Sequence, residues 1–176
     1  MAYLNSDDLL MPGTLAYVAR FFADNPDIDV VYGHRIVIDA QELEIGRWII
    51  PAHDSEMVKF VDYIPQETLF WRRRVWERLE RFDESFQFAL DWDFILRAQA
   101  AGFRFKRLPR FLGCFRVHDQ QKTTKLEQVG QQEIALLRAR YLGPVQLRKP
   151  IHRAIRGYLR QHVLLHRLFK LKILRY

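Results

Sequence analysis

Apolar positions recur along the chain with two different spacings, and these divide it into helices and strands. Thr14 precedes Leu15, Val18, Phe21 and Phe22, spaced for one helical face; this predicts a helix with Thr14 as N-cap, stopped at Asn25-Pro26. Val30-Val31-Tyr32, Arg35-Ile36-Val37-Ile38 and Arg47-Trp48-Ile49-Ile50 are rich in β-branched and aromatic residues and predict three short strands. A short helix is expected over 54–60, extended chain over 66–71 and a helix over 73–80. Asp91 is the expected N-cap of a helix over 91–101, with Phe94, Ile95 and Ala98 turned inward and Gly102 as its stop. Strands follow over 103–107 and 111–117, then a polar loop over 119–125. Two helices close the chain, over 126–141 and 151–174, separated by Gly143-Pro144 and Pro150. At the start, Ala2-Tyr3-Leu4 reads as a strand end running into Asn5-Ser6-Asp7-Asp8. The alternation of helices and strands predicts an α/β fold with a mixed sheet.

Charge divides the chain more sharply than hydropathy does. Of the 28 Lys and Arg residues, nine lie in 147–176, a stretch without Asp or Glu. Residues 1–146 therefore hold 19 basic against 21 acidic residues, a net charge of −2. A near-neutral body lacks the broad basic footprint of a nucleic-acid-binding domain, so nucleic acid is not an expected partner. Hydrophobic residues make up 49% of the 176 and aromatics 14%, which supplies a real core and excludes a disordered chain. The single cysteine, Cys114, excludes a disulfide framework and a cysteine-based zinc site, and fits a reducing compartment. No apolar run reaches the roughly 18 residues of a membrane span. Asp7, Asp8 and Pro12 fall where a signal peptide would need an apolar stretch.

Three polar groups could carry chemistry. Asn5-Ser6-Asp7-Asp8 follows a strand, and ligand sites of open α/β sheets lie beyond strand ends. Adjacent carboxylates there suit a hard divalent cation, although a plain turn would use the same residues. Asp91-Trp92-Asp93 opens a helix. A carboxylate at that point caps the helix, or serves as a general base if it faces a pocket. The helix dipole is expected to lower its pKa and leave it weakly basic. Arg116-Val117-His118 places Arg116 and His118 on one face of a strand, either turned to solvent or set to meet a phosphate.

Taken in order, the motifs say more. Asn5-Ser6-Asp7-Asp8, Pro12-Gly13, Pro65-Gln66-Glu67-Thr68-Leu69-Phe70, Phe82-Asp83-Glu84, Ala89-Leu90-Asp91-Trp92-Asp93 with Arg97, and Phe115-Arg116-Val117-His118 resemble, in order and spacing, the family 2 glycosyltransferases. The resemblance runs from Ala2 to about Thr124. It implies a partial GT-A (Rossmann-like) mixed sheet flanked by helices, with a helical C-terminal extension. Residues 1–125 would then be catalytic and 126–176 a basic extension. It implies metal-assisted, inverting transfer of a sugar from a nucleotide-diphosphate sugar to a hydroxyl of a glycan or lipid-linked acceptor, in polysaccharide or cell-surface glycan synthesis. Asp91 matches the general base. Asp7 and Asp8 match the acidic motif that holds Mn²⁺ or Mg²⁺, with His118 beside it, and Arg116 and His118 match the motif near the donor diphosphate. Gln66, Glu67, Trp92 and Asp93 fall on the acceptor side. Family members carry a longer stretch before the acidic motif, whose βαβ units bind the nucleotide base, whereas Met1 lies only a few residues ahead of Asp7. The chain thus corresponds to the acceptor-side half and is expected to be weak or inactive alone. The open edge of Ala2-Tyr3-Leu4 would invite self-association or pairing with the missing half.

The basic stretch has its own reading. Ile151, Ile155, Tyr158, Leu159 and Val163 fall on one face of a helix, and Arg153, Arg156, Arg160 and Arg167 on another. A basic amphipathic helix suits an anionic membrane surface, which gives an expected location in the cytoplasm, peripheral on the inner face of the membrane. The same pattern fits a helix packed on the body with a solvated basic face. Two rivals to transfer remain: a metal-dependent phosphohydrolase using Asp7, Asp8, Asp91 and Asp93, and a non-catalytic membrane-surface or partner-binding module.

Overall fold

The computed structural model describes residues 1–118 and 126–142, with scattered positions between 156 and 173. The expected loop over 119–125 and most of the expected helix over 151–174 lie outside the described residues.

A mixed five-stranded sheet forms the centre. Strand β2 (Val30–Ile38) is its spine, buried along its length except at Arg35. Strand β5 (Phe105–Arg116) runs parallel to it, and β1 (Leu9–Leu10) pairs antiparallel with the outer side of β5. The other edge of β2 takes two antiparallel partners: β4 (Phe70–Trp71) at Val30 and Val31, and β3 (Glu44–Trp48) from Arg35 to Ile38.

The sequence pattern divides both β2 and β5 into two strands, and each is one. The interruptions face each other. The β2–β5 register shifts between Tyr32 and Arg35, opposite Pro109, which has no N–H to give to a ladder. Gly33 fills the corresponding place in β2. A Cβ there would lie 2.5 Å from Leu112 Cγ and 2.6 Å from the Arg110 carbonyl, so only glycine lets the strands close over the bulge. The start of the chain departs further from expectation. Ala2 makes one antiparallel bridge to Phe70, and Met1 exchanges backbone hydrogen bonds with Trp71, but Tyr3 and Leu4 run on irregularly.

Helices cover both faces of the sheet. Helix α1 (Thr14–Asp24) packs Val18, Phe21 and Phe22 against Val31, Leu108 and Leu112. Leu15, expected on that face, is 63% exposed. Gly13 takes the N-cap position in the left-handed conformation, and Thr14, expected there, instead donates from Oγ1 to the Leu112 carbonyl at 2.8 Å. The opposite face, carrying Val30 and Tyr32, receives the short helices α2 (Met57–Phe60) and α3 (Arg73–Arg78) and the longer α4 (Leu90–Ala100) and α5 (Glu127–Leu142). Trp71, Trp76, Phe82 and Phe94 cluster there with ring centres 4.8 to 6.1 Å apart, Phe82 meeting the other three edge to face and Trp71 stacking on Trp76. Gly102 ends α4 with φ +82°, as its position in the sequence requires. Helix α5 belongs to the expected extension, yet its Leu137 lies in the same core as Trp92. Among the described residues no helix is long and apolar enough to cross a membrane.

Candidate active site

A cleft of about 270 Å³ opens where the Asn5–Asp8 turn, the Gln66–Thr68 3₁₀ turn and the start of α4 converge. Hydrogen bonds tie the two turns. Asn5 Nδ2 donates to Gln66 Oε1 at 3.0 Å, and Gln66 Nε2 donates to the Tyr3 carbonyl. Pro65, held extended, sets the entry to the 3₁₀ turn. Beyond it Glu67 is buried and takes two hydrogen bonds from Arg35, at 2.8 and 2.5 Å. The Arg35 guanidinium lies 4.4 Å from the centre of the Phe115 ring and 5.4 Å from that of Trp48. A planar cation gripped by a carboxylate and flanked by rings is a fixed feature of the wall.

Asp7 and Asp8 have different surroundings. Asp8 is buried; its Oδ1 accepts the Arg116 N–H at 3.0 Å and its Oδ2 accepts from Asn5 at 3.3 Å. Burial raises its pKa, against the pull of the Arg116 N–H. Asp7 is half exposed, and its Oδ2 lies 3.0 Å from His118 Nε2. Arg116 is a strut: its Nε donates to the Asp7 carbonyl at 2.8 Å and its guanidinium reaches Glu42 at 2.9 Å. Arg116 does not line the cleft.

Asp91 lines the cleft from the first turn of α4. Ala89 occupies the N-cap position, and the carboxylate that serves this helix end comes from elsewhere. Glu133 on α5 accepts the N–H groups of Gln87, Phe88 and Ala89 at 2.7, 2.8 and 2.8 Å. Asp91 is thereby left to face the cleft, with one oxygen accepting its neighbour's Trp92 N–H at 2.9 Å. Its pKa is raised, not lowered: enclosure outweighs the backbone N–H groups and the attraction of Arg35. Asp62 lines the cleft as well. Enclosure, followed by repulsion from Asp91, drives its pKa well above the carboxylate range, although the residue keeps an open outer surface.

Of the residues singled out in the sequence, Asp7, Asp8, Gln66, Glu67 and Asp91 meet in this cleft, and His118 joins through Asp7. Trp92 and Asp93 do not. Trp92 is 1% exposed and donates its indole N–H to the Val58 carbonyl; Asp93 is 0% exposed and pairs with Arg97 and Arg140. Both are turned into the core, so neither reaches the cleft. Sequence reasoning missed Asp62, Arg35, Trp48 and Glu133. The only local signal for Asp62 is its place just ahead of the Pro65-Gln66-Glu67 motif, on a chain that Pro65 holds extended.

Among the described residues no three His, Cys, Asp or Glu side chains form a metal cage. Asp7 and His118, half exposed and hydrogen-bonded to each other, supply two donors, and both oxygens of Asp8 are already engaged. That set fits a Mg²⁺ or Mn²⁺ that takes its remaining ligands from water and substrate phosphate, not a cage made by protein alone. No protein-family model matches the chain, and no curated protein matches it.

Proposed function

We propose that the cleft is the acceptor side of a metal-assisted, inverting glycosyltransferase of GT-A type, similar to family 2. One observation carries the reading. Asp7, Asp8, Gln66, Glu67 and Asp91 lie far apart in sequence and line one cleft. Motif order alone does not require such convergence, whereas a transfer site does.

The roles follow from the chemistry. The Asp91 carboxylate takes the proton of an acceptor hydroxyl as that oxygen attacks the anomeric carbon, and the bond from that carbon to the donor diphosphate breaks. A raised pKa makes Asp91 a stronger base than an ordinary aspartate. Asp7 and His118 would hold Mn²⁺ or Mg²⁺, whose contribution is to neutralise the departing diphosphate. Gln66 anchors the turn that bears Asp7. Glu67 fixes Arg35, whose positive charge helps keep Asp91 ionised. The phosphohydrolase reading loses Asp93, which is spent on two arginines in the core.

A thermal melt of the whole chain tests the reading, with Mn²⁺ present and UDP, GDP or dTDP added in turn. A ligand at a hundred times its Kd adds about 2.7 kcal/mol of stability. The expected result is a shift that needs both the metal and one of the nucleotides and is lost in Asp7→Ala, with at most weak sugar transfer from the matching donor. No shift with any nucleotide would overturn the reading, as would phosphate release that needs no acceptor.

A further inference from the structure

The cleft has a charge imbalance that the transfer step leaves unused. Asp62, Asp91 and Glu67 bring three carboxyl groups to the acceptor side, and Arg35 is the one cation among the described residues that line it. Arg35 is already committed to Glu67 through two hydrogen bonds. Asp62 and Asp91 therefore share the field of Arg35 with Glu67 and have no second cation in the lining, and the repulsion between them is felt at Asp62. The wall is aromatic at the same place. Trp48 lines the cleft from β3 and is 46% exposed. An exposed aromatic ring beside carboxylates suits a ligand ring with an apolar face and polar edges.

A ligand bearing a further negative charge would meet only repulsion here. An uncharged sugar would leave Asp62 and Asp91 as they are. An ammonium group on the ligand would pair with Asp62 through a charge-assisted hydrogen bond and relieve its conflict with Asp91. We infer that the acceptor seated in this cleft is an amino sugar with a free, protonated amine, its ring on Trp48 and its ammonium at Asp62. The word acceptor rests on the transferase reading; the binding preference rests on the cleft alone.

Calorimetric titration of the whole chain at pH 6 tests the inference without any donor. The probes are a β-1,4-linked glucosamine tetramer and its fully N-acetylated counterpart, which differ in the amine charge. The free-amine tetramer should bind about tenfold more tightly, the gain expected from one partly screened charge-assisted contact. Asp62→Asn should erase that gap by weakening the free-amine tetramer to the level of the acetylated one. Unchanged binding of the acetylated tetramer then reports an intact cleft. Trp48→Ala should weaken both probes alike. The inference fails if neither tetramer binds, if the acetylated tetramer binds as tightly as the free amine, or if the gap survives Asp62→Asn. If the preference holds while no donor supports transfer, only the transferase reading fails. If transfer occurs and the acetylated tetramer is preferred, only the amine preference fails.

Discussion

Asp91 and Asp93 stand two positions apart on one helix and have opposite fates. Residues two apart on a helix point in nearly opposite directions, so one carboxylate of the pair had to turn inward. Asp93 did, and lies between Arg97 at 2.7 Å and Arg140 at 3.3 Å. Their substitutions should separate function from stability. Asp91→Asn is expected to lower transfer by about 10²–10⁴-fold with a melt no lower than that of the parent chain. Asp93→Asn is expected to cost about 2 kcal/mol, roughly 4–8 °C in Tm, because two arginines lose their buried partner. A melt of each variant beside a transfer assay decides between these roles. Asp62 gives a pH signature. In the folded chain Asp62 and Asp91 keep their protons to higher pH than they do unfolded. Above the ordinary carboxylate range the folded state thus binds more protons than the unfolded one, and their contribution to stability falls as pH rises. Asp62→Asn should raise Tm at pH 7 and change it little at about pH 2.5, where both carboxyls are protonated in either state. Enclosure is what raises Asp91, so the same substitution should leave the acid limb of the pH–rate profile in place. The motif aspartates were legible because their residue types recur at recognisable spacing. Asp62 was not, because its place just ahead of the Pro65-Gln66-Glu67 motif does not say what it faces.

At the scale of elements, the sequence spoke clearly where one segment decides its own structure. The face of α4 formed by Phe94, Ile95 and Ala98, and its stop at Gly102, are local properties and are found where expected. The division of β2 and β5 into halves was a misreading of a real signal. Gly33 and Pro109 do interrupt the pattern, but each is accommodated by the other strand, and pairing across the sheet overrides the local break. Glu133 was beyond reach for the same reason, since its three hydrogen bonds span 44 to 46 residues of chain. It replaces the cap expected from Asp91 and ties α5 to Gln87 and Phe88, which line the cleft. Glu133→Ala leaves three N–H groups without their acceptor and is expected to cost about 3 kcal/mol, or roughly 6–12 °C in Tm. Glu133→Gln retains one accepting oxygen and should fall between the two. Differential scanning calorimetry of the three chains would measure this order. Equal loss in both variants would show that the bulk of Glu133 matters and its hydrogen bonds do not.

At the scale of the molecule, the described body and the basic stretch 147–176 are electrically distinct. The body 1–146 carries −2 and the stretch carries nine basic residues with no acid. Even a complete cancellation of the body's charge leaves most of that excess in place. Near an anionic lipid surface each basic residue contributes about 1 kcal/mol, and the effect fades within a Debye length of about 8 Å at physiological salt. Two consequences can be measured. Full-length chain should co-sediment with vesicles containing phosphatidylserine and not with phosphatidylcholine alone. Raising the salt to about 1 M, where the Debye length shrinks to about 3 Å, should release it. Replacing Arg153, Arg156 and Arg160 together by alanine should weaken the association by about two orders of magnitude, since roughly 3 kcal/mol is removed. An apolar contribution from Ile151, Ile155 and Leu159 would behave differently, persisting at high salt and on neutral vesicles. Binding that is indifferent to lipid charge would therefore assign the stretch to packing or to insertion, and would remove charge as the reason for bringing the cleft to a membrane.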